Sequence, residues 1–313
     1  MAENESLAAL YAEARIRGAL FDLGDRAQWR LLGADRVRYL NGQVTSDVRR
    51  ANNASAQMSC VTTAKGRLCG VVFISAGPDF IRIDAEPELR EALTGRLERY
   101  IIADDATLED VTDEQCLFHV LPAADGANPV QAPAAEVRVA TRFGRAGFDI
   151  LAPRSGHASL IEMLSASHTL IPGTLAEVLR IEAGVPRWGA ELSEETLPPE
   201  AGLDQTAIDY HKGCYIGQEV ISRIKSVGHV NRRLAGFTAA APLTAGMTLH
   251  PIAEPEKAAG EITSAAWSFG LDTWAALGYL KRGFSDTALH ARAPDGATAA
   301  VEIRDLPLVP NTP

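Results

Sequence analysis

The segment His211-Lys-Gly-Cys-Tyr-Ile-Gly-Gln-Glu-Val-Ile-Ser-Arg223 concentrates residue types that can do chemistry. Gly213 and Gly217 bracket Cys214, and glycines let a backbone or a ligand approach closely. Lys212, two residues from the sulfur, and the N-terminus of a helix that begins near Gly217 would both favour a thiolate. Such a sulfur is a nucleophile or a soft metal ligand. The same residues admit a plainer reading. A single cysteine is commonly a small buried hydrophobe, and Glu219 with Arg223 has the i,i+4 spacing of an ordinary helix pair. Cys60, Cys69 and Cys116 lie in apparent strands or apolar surroundings and read as core or half-core residues.

A second feature is a carboxylate in an apolar place. From Gly173 to Gly184, helical spacing puts Leu175, Val178, Leu179 and Glu182 at offsets of zero, three, four and seven, on one stripe. An unpaired buried carboxylate is strongly unfavourable, so Glu182 needs a basic partner such as Arg187, or a ligand. A ligand with two parallel N–H donors, as on the amidine-like edge of a pterin, suits a planar carboxylate. Spacing alone leaves both open. Charge adds a third feature: between His211 and Arg233, Lys212, Arg223, Lys225, Arg232 and Arg233 face one acid, Glu219. This basic strip suits an anionic tail, such as a polyglutamate, held by Lys212, Arg223 or Lys225. The acidic stretch from Glu86 to Gln115 reads as a solvated face.

The elements that position these residues come from periodicity. A helix is predicted over 5–18, strands over 19–22 and 29–32, and a helix capped by Asp35 through Val37, Leu40 and Val44. Strands over 67–74 and 80–84 form a hairpin, followed by a helix carrying Leu89, Leu93, Leu97 and Ile101. The Pro-, Gly- and Ala-rich stretch 123–135 reads as a linker. Beyond it come strands over 136–140 and 148–151, a helix over 155–166, and short alternating runs after Arg233 that suggest a β-barrel. A chain of 313 residues with this pattern predicts two or three α+β-layered domains.

Composition sets outer bounds. No apolar run approaches the roughly 20 residues that span a bilayer, and the acidic start Met1-Ala-Glu-Asn-Glu-Ser6 lacks the marks of a secretory signal. A cytoplasmic, soluble protein without membrane contact is expected. Four cysteines without a C-x-x-C pair suit a reducing compartment, and seven scattered histidines predict no resident metal. A net charge of −10 argues against direct nucleic-acid binding.

Lys212-Gly-Cys-Tyr-Ile-Gly-Gln-Glu219 resembles the signature of YgfZ-type proteins, relatives of the glycine cleavage T-protein. The resemblance runs on through Arg180-Ile-Glu-Ala-Gly184, Trp188-Gly189, Glu191-Leu192, Gly260-Glu-Ile-Thr-Ser264 and Leu277-Gly-Tyr279. It implies three domains in a cloverleaf around a central channel: a discontinuous folate-binding domain over 1–50 and 136–228, a second α+β domain over 51–135, and a C-terminal barrel over 229–313. It implies tetrahydrofolate, with or without a polyglutamate tail, as ligand. Glu182 then matches the pterin-binding glutamate, Tyr215, Gln218, Glu219 and Arg223 join the binding side, and Cys214 with Lys212 carries the chemistry. The implied role is support of iron-sulfur cluster assembly or repair, with a link to tRNA-modifying enzymes, and with iron-sulfur proteins or assembly factors as partners. In that role Cys214 is a reactive thiol or a transient metal ligand, and one cysteine cannot hold a cluster alone.

One departure bears on mechanism. T-proteins carry an Asp-Asp pair where this chain has Lys65-Gly-Arg-Leu-Cys-Gly-Val-Val72. Aminomethyl transfer needs a carboxylate to position and polarise its reactants, and neither Gly70 nor Val71 supplies one. An aminomethyl or other one-carbon transferase is therefore the alternative reading, and a scaffold that binds no folate is the third.

Overall fold

The computed structural model describes residues 2–123, 135–284 and 288–310. The expected linker lies outside the described residues except for its end positions, Ala123 and Ala135. Three β-layers organise the chain, and six α-helices are described: α1 (Ala2–Arg17), α2 (Arg36–Gln43), α3 (Arg90–Glu98), α4 (His157–Ser165), α5 (Gly173–Ala183) and α6 (Gln218–Val227).

The first sheet has the strand order Thr169–Leu170, Ala19–Asp22, Gln115–Leu121, Ala146–Pro153, Glu136–Thr141. Side chains alternate across a strand, so Ala19 and Phe21 join Tyr11 of α1 and Leu175 of α5 in one core. Leu20, between them, points to the opposite face and packs with Phe118 and with Leu160 and Leu164 of α4.

The second sheet runs Gln57–Thr62, Leu68–Ala76, Ile81–Ala85, Ala27–Leu32, Thr107–Asp110. Trp29, Leu31, Val72, Ile74 and Ile83 form a core with Tyr39 and Leu40 of α2 and Leu93 and Leu97 of α3. Membership of the two sheets departs from the expected boundaries near residues 50 and 135. Ala27–Leu32 and α2 share the core of the second sheet, because Trp29 sits opposite Ile83. Gln115–Leu121 lies between Ala19–Asp22 and Ala146–Pro153 in the first. The chain thus crosses between sheets after Asp22 and again after Asp110.

The last layer is the expected barrel, closed by six strands in the order Arg232–Ala239, Thr273–Lys281, Gly260–Ser268, Thr248–Pro251, Leu289–Arg292, Thr298–Arg304. Phe237, Leu249, Ile262, Leu280 and Leu289 fill its interior. Among the described residues no helix is long and apolar enough to cross a membrane, and no group of His, Cys, Asp or Glu is placed to hold a metal.

Candidate functional site

All three layers contribute to a central cavity. An inner chamber of about 320 Å³ is walled by Val71 and Phe73 of the second sheet, Asp22, Arg142 and Phe143 on or beside the first, and Glu177 and Arg180 of α5, with Trp188 closing it. It shares Met58, Phe73, Arg142, Val185, Pro186 and Leu203 with a vestibule of about 630 Å³. Barrel residues Arg233 and Arg304 line the vestibule, and no carboxylate lines it among the described residues. In the chamber, Glu177 receives two bonds from Arg180, at 2.9 Å from Nε and 2.5 Å from Nη2. Burial pushes its carboxyl up, but Arg180 and Arg187 outweigh that and hold it below the ordinary range.

The Cys214 loop is anchored on both sides. The Lys212 side chain is buried, and its Nζ donates to the carbonyls of Asn41, Val44 and Ser46 at 2.6, 2.7 and 2.9 Å. These carbonyls lie at and just beyond the C-terminus of α2, where cations are favoured. Burial nevertheless pushes the ammonium down to about 8. Tyr215 is buried, its ring 5.1 Å from Lys212 Nζ. Ile216 N donates to Gly42 O at 3.1 Å, and Thr62 Oγ1 donates to Ile216 O at 2.5 Å. Gly217 has φ +89°, and a Cβ there would lie 2.5 Å from Thr63 O. Only glycine fits that contact. Between these anchors Cys214 is exposed. A polar cleft of about 530 Å³, lined by Asp209, Tyr210, His211 and Lys225, runs beside the loop and shares Gln57, Met58, Gln205 and Thr206 with the vestibule.

Several expectations change in this frame. Glu182 is fully buried and lines neither chamber nor vestibule. Its Oε2 accepts from Tyr11 OH at 2.8 Å, and its Oε1 from Ser268 Oγ at 2.5 Å and Gly270 N at 3.0 Å. Through these bonds the carboxylate joins α1, α5 and the barrel. Arg187, its expected partner, faces Glu177 at 3.5 Å instead. Lys212 is an anchor, since its three N–H bonds are taken by backbone. Glu219 and Arg223 pair with each other at 2.9 Å on an exposed face of α6 and line none of the three cavities. Tyr215 packs beneath the loop, and Gln218 opens α6 outside the chamber. The wall residues Phe73, Arg142, Phe143 and Glu177 carried no sequence signal beyond the i,i+3 pairing of Glu177 with Arg180.

Comparison with known proteins follows from this geometry. Residues 232–310 match the glycine cleavage T-protein C-terminal barrel domain. The solved aminomethyltransferase T of the glycine cleavage system from Bartonella henselae superposes with a TM-score of 0.84, over 97% of this chain and 89% of that one, at 17% identity. The tRNA-modifying protein YgfZ of Yersinia enterocolitica is 26% identical over 98% of both chains. The chain is thus similar, over nearly its whole length, to YgfZ-type proteins, and its barrel matches that of the glycine cleavage T-protein family. An iron-sulfur cluster assembly factor IBA57 homolog of Neurospora crassa is 29% identical over 70% of this chain, and a putative chloroplastic transferase of Arabidopsis thaliana 26% over 83%. These matches span 53% and 65% of the two relatives' lengths.

The missing aspartate pair has a structural counterpart. A Cβ on Gly70 would come 2.9 Å from Leu89 Cδ1 and 3.1 Å from Leu93 Cδ1, so a carboxylate there would have to displace these core leucines and enter their apolar cluster. Val71 lines the chamber with an apolar side chain.

Proposed function

We propose that this protein is a tetrahydrofolate-binding factor that supports iron-sulfur cluster assembly or repair, including in enzymes that modify tRNA, with Cys214 as the thiol that meets its client. The observation that carries the reading is the presentation of Cys214: an exposed sulfur on a loop fixed by Lys212, Ile216 and Gly217, beside a cleft that joins the vestibule. A sulfur so placed is available to a partner's metal or thiol, and a thiolate is a soft ligand suited to iron-sulfur chemistry. The names of the YgfZ and IBA57 relatives support the same role.

The cavity fits a folate in its donor set. Phe73, Phe143 and Trp188 offer faces to a flat ring, the half-buried Glu177 and the exposed Arg187 offer polar edges, and the vestibule, with Arg233 and Arg304 and no carboxylate among the described residues that line it, suits an acidic tail. Bound folate would supply one-carbon or redox chemistry, and the chain's part is to orient the ring and shield it from water. The basic strip expected to hold the tail contributes Arg233, while Arg223 is engaged with Glu219 and Lys225 lies over Tyr210 at 3.5 Å. Aminomethyl transfer is the weaker reading, because Gly70 and Val71 leave no carboxylate on that wall.

Two measurements test this. In cells lacking the protein, Cys214→Ser should fold normally yet fail to restore iron-sulfur enzyme activities, and full restoration would remove the thiol from the function. In calorimetry, tetrahydrofolate should bind at one site and Phe73→Ala should weaken it by roughly tenfold or more, the scale of one lost aromatic contact. Equal affinities would move the ligand out of the chamber.

A further inference from the structure

The second sheet turns a charged face toward the first. Arg30 and Arg82 stand directly opposite each other on neighbouring antiparallel strands, with Ser75 next in the row. Like charges in that register repel. Arg138, on the edge strand of the first sheet, comes up against them, and its Nη1 donates to Ser75 Oγ. Arg82 and Arg138 are only 3% and 4% exposed. The carboxylate that joins them is Glu136, accepting from Arg82 Nη2 at 3.0 Å and from Arg138 Nη2 at 2.7 Å. Its own side chain is 60% exposed, so it reaches in from solvent.

One carboxylate does not exhaust these donors. Arg30 Nε, Arg82 Nε and Nη1, and Arg138 Nε have no hydrogen-bond partner among the described residues. Asp84 and Asp149, the nearest buried acids, are committed to Arg26, Arg142 and His119. Glu109, across from Arg30, is exposed. Phe80 covers the guanidiniums of Arg30 and Arg82 at 5.3 and 5.2 Å, which offsets part of their charge. Burial pulls Arg82 below its ordinary range, and burial with the neighbouring Arg82 does the same to Arg138. Buried donors left over in this way call for an ion or ordered water.

We propose that Arg30, Arg82 and Arg138 form a binding site for a small oxyanion of the phosphate class, in which Glu136 is a built-in competitor. The guanidinium forks match a tetrahedral oxyanion better than a single carboxylate does, because four oxygens reach more of the free N–H groups. When the anion enters, Glu136 swings to solvent and its place on Arg82 Nη2 and Arg138 Nη2 is taken. None of the three arginines lines the chamber or vestibule, so the site is separate from the proposed folate cavity.

The test is calorimetric titration of the full chain with inorganic phosphate against chloride at matched ionic strength. Glu136→Gln should bind one phosphate at least about tenfold more tightly than wild type, the scale of one charge-assisted bond freed. Adding Arg30→Gln, at a half-buried position, or Arg138→Lys should remove that gain. Equal affinity of wild type and Glu136→Gln, or no binding by either, overturns the site. A gain that survives both second substitutions shows an adventitious ion only and overturns it as well.

Discussion

Because Lys212 spends its donors on the carbonyls of Asn41, Val44 and Ser46, its effect on Cys214 is exerted through the backbone that holds the loop. Lys212→Met would strand three carbonyls in a buried place, and we expect a loss of about 2 kcal/mol in urea unfolding. Unchanged stability combined with lost activity in cells would instead return Lys212 to the chemistry. Glu182 gives a complementary case. Replacing it with Gln puts an NH2 group against either Tyr11 OH or the Ser268 and Gly270 donors, so stability should fall while tetrahydrofolate affinity stays within error of wild type. A large affinity loss without a stability change would restore its ligand role. The position of Glu182 on an apolar stripe was legible from spacing. Its donors were not, since Tyr11, Ser268 and Gly270 lie 171, 86 and 88 residues away.

At the scale of elements, the turn between Gln57–Thr62 and Leu68–Ala76 is the seat on which α6 begins. Gly217 approaches Thr63 O too closely for a Cβ, and Gly66 packs on Val220 and Ile221 of α6. Gly217→Ala therefore combines a left-handed φ with a steric clash, and a loss of roughly 1–3 kcal/mol is expected. Faster hydrogen exchange confined to α6 and the Cys214 loop would locate that loss, whereas exchange unchanged there would show the seat to be dispensable. Elements with strong local period were readable from sequence: α5, the hairpin over 68–85 and the longer barrel strands. Leu289–Arg292 and Thr107–Asp110 are four-residue strands whose identity comes from their partners. The crossing of the chain between sheets was hidden for the same reason. That Trp29 shares a core with Ile83 rather than with Phe21 is a long-range fact that no run of neighbouring residues encodes.

The whole molecule is joined across its two sheets by a buried chain of charges. Arg26 and Arg142 grip Asp84 at 2.6 to 2.9 Å, Arg142 also binds Asp149 at 2.7 and 2.8 Å, and Asp149 meets His119 Nδ1 at 2.8 Å. Since Arg142 also lines the chamber, this chain fixes one cavity wall. Its pH response follows from the shifts. Burial pulls the His119 imidazole below its ordinary value, although Asp149 works against it. Below about pH 6.5 the unfolded chain therefore takes up a proton that the native protein refuses, and stability falls. For Asp84 and Asp149 burial acts upward, but the arginines dominate and hold both carboxyls low. As pH drops through the unfolded carboxylate value near 4 the unfolded chain again gains protons first, and stability falls further. As pH falls below 7 the melting temperature should thus decline in two stages. The first stage can reach at most about 1.4 kcal/mol per pH unit for a single histidine. His119→Gln should make it shallower, leaving the share of His168 and His290, whose imidazoles burial also pulls down, and should leave the second stage in place. An unaltered slope between pH 6.5 and 5 in that variant would show that His119 is protonated in the native fold and that the decline arises elsewhere.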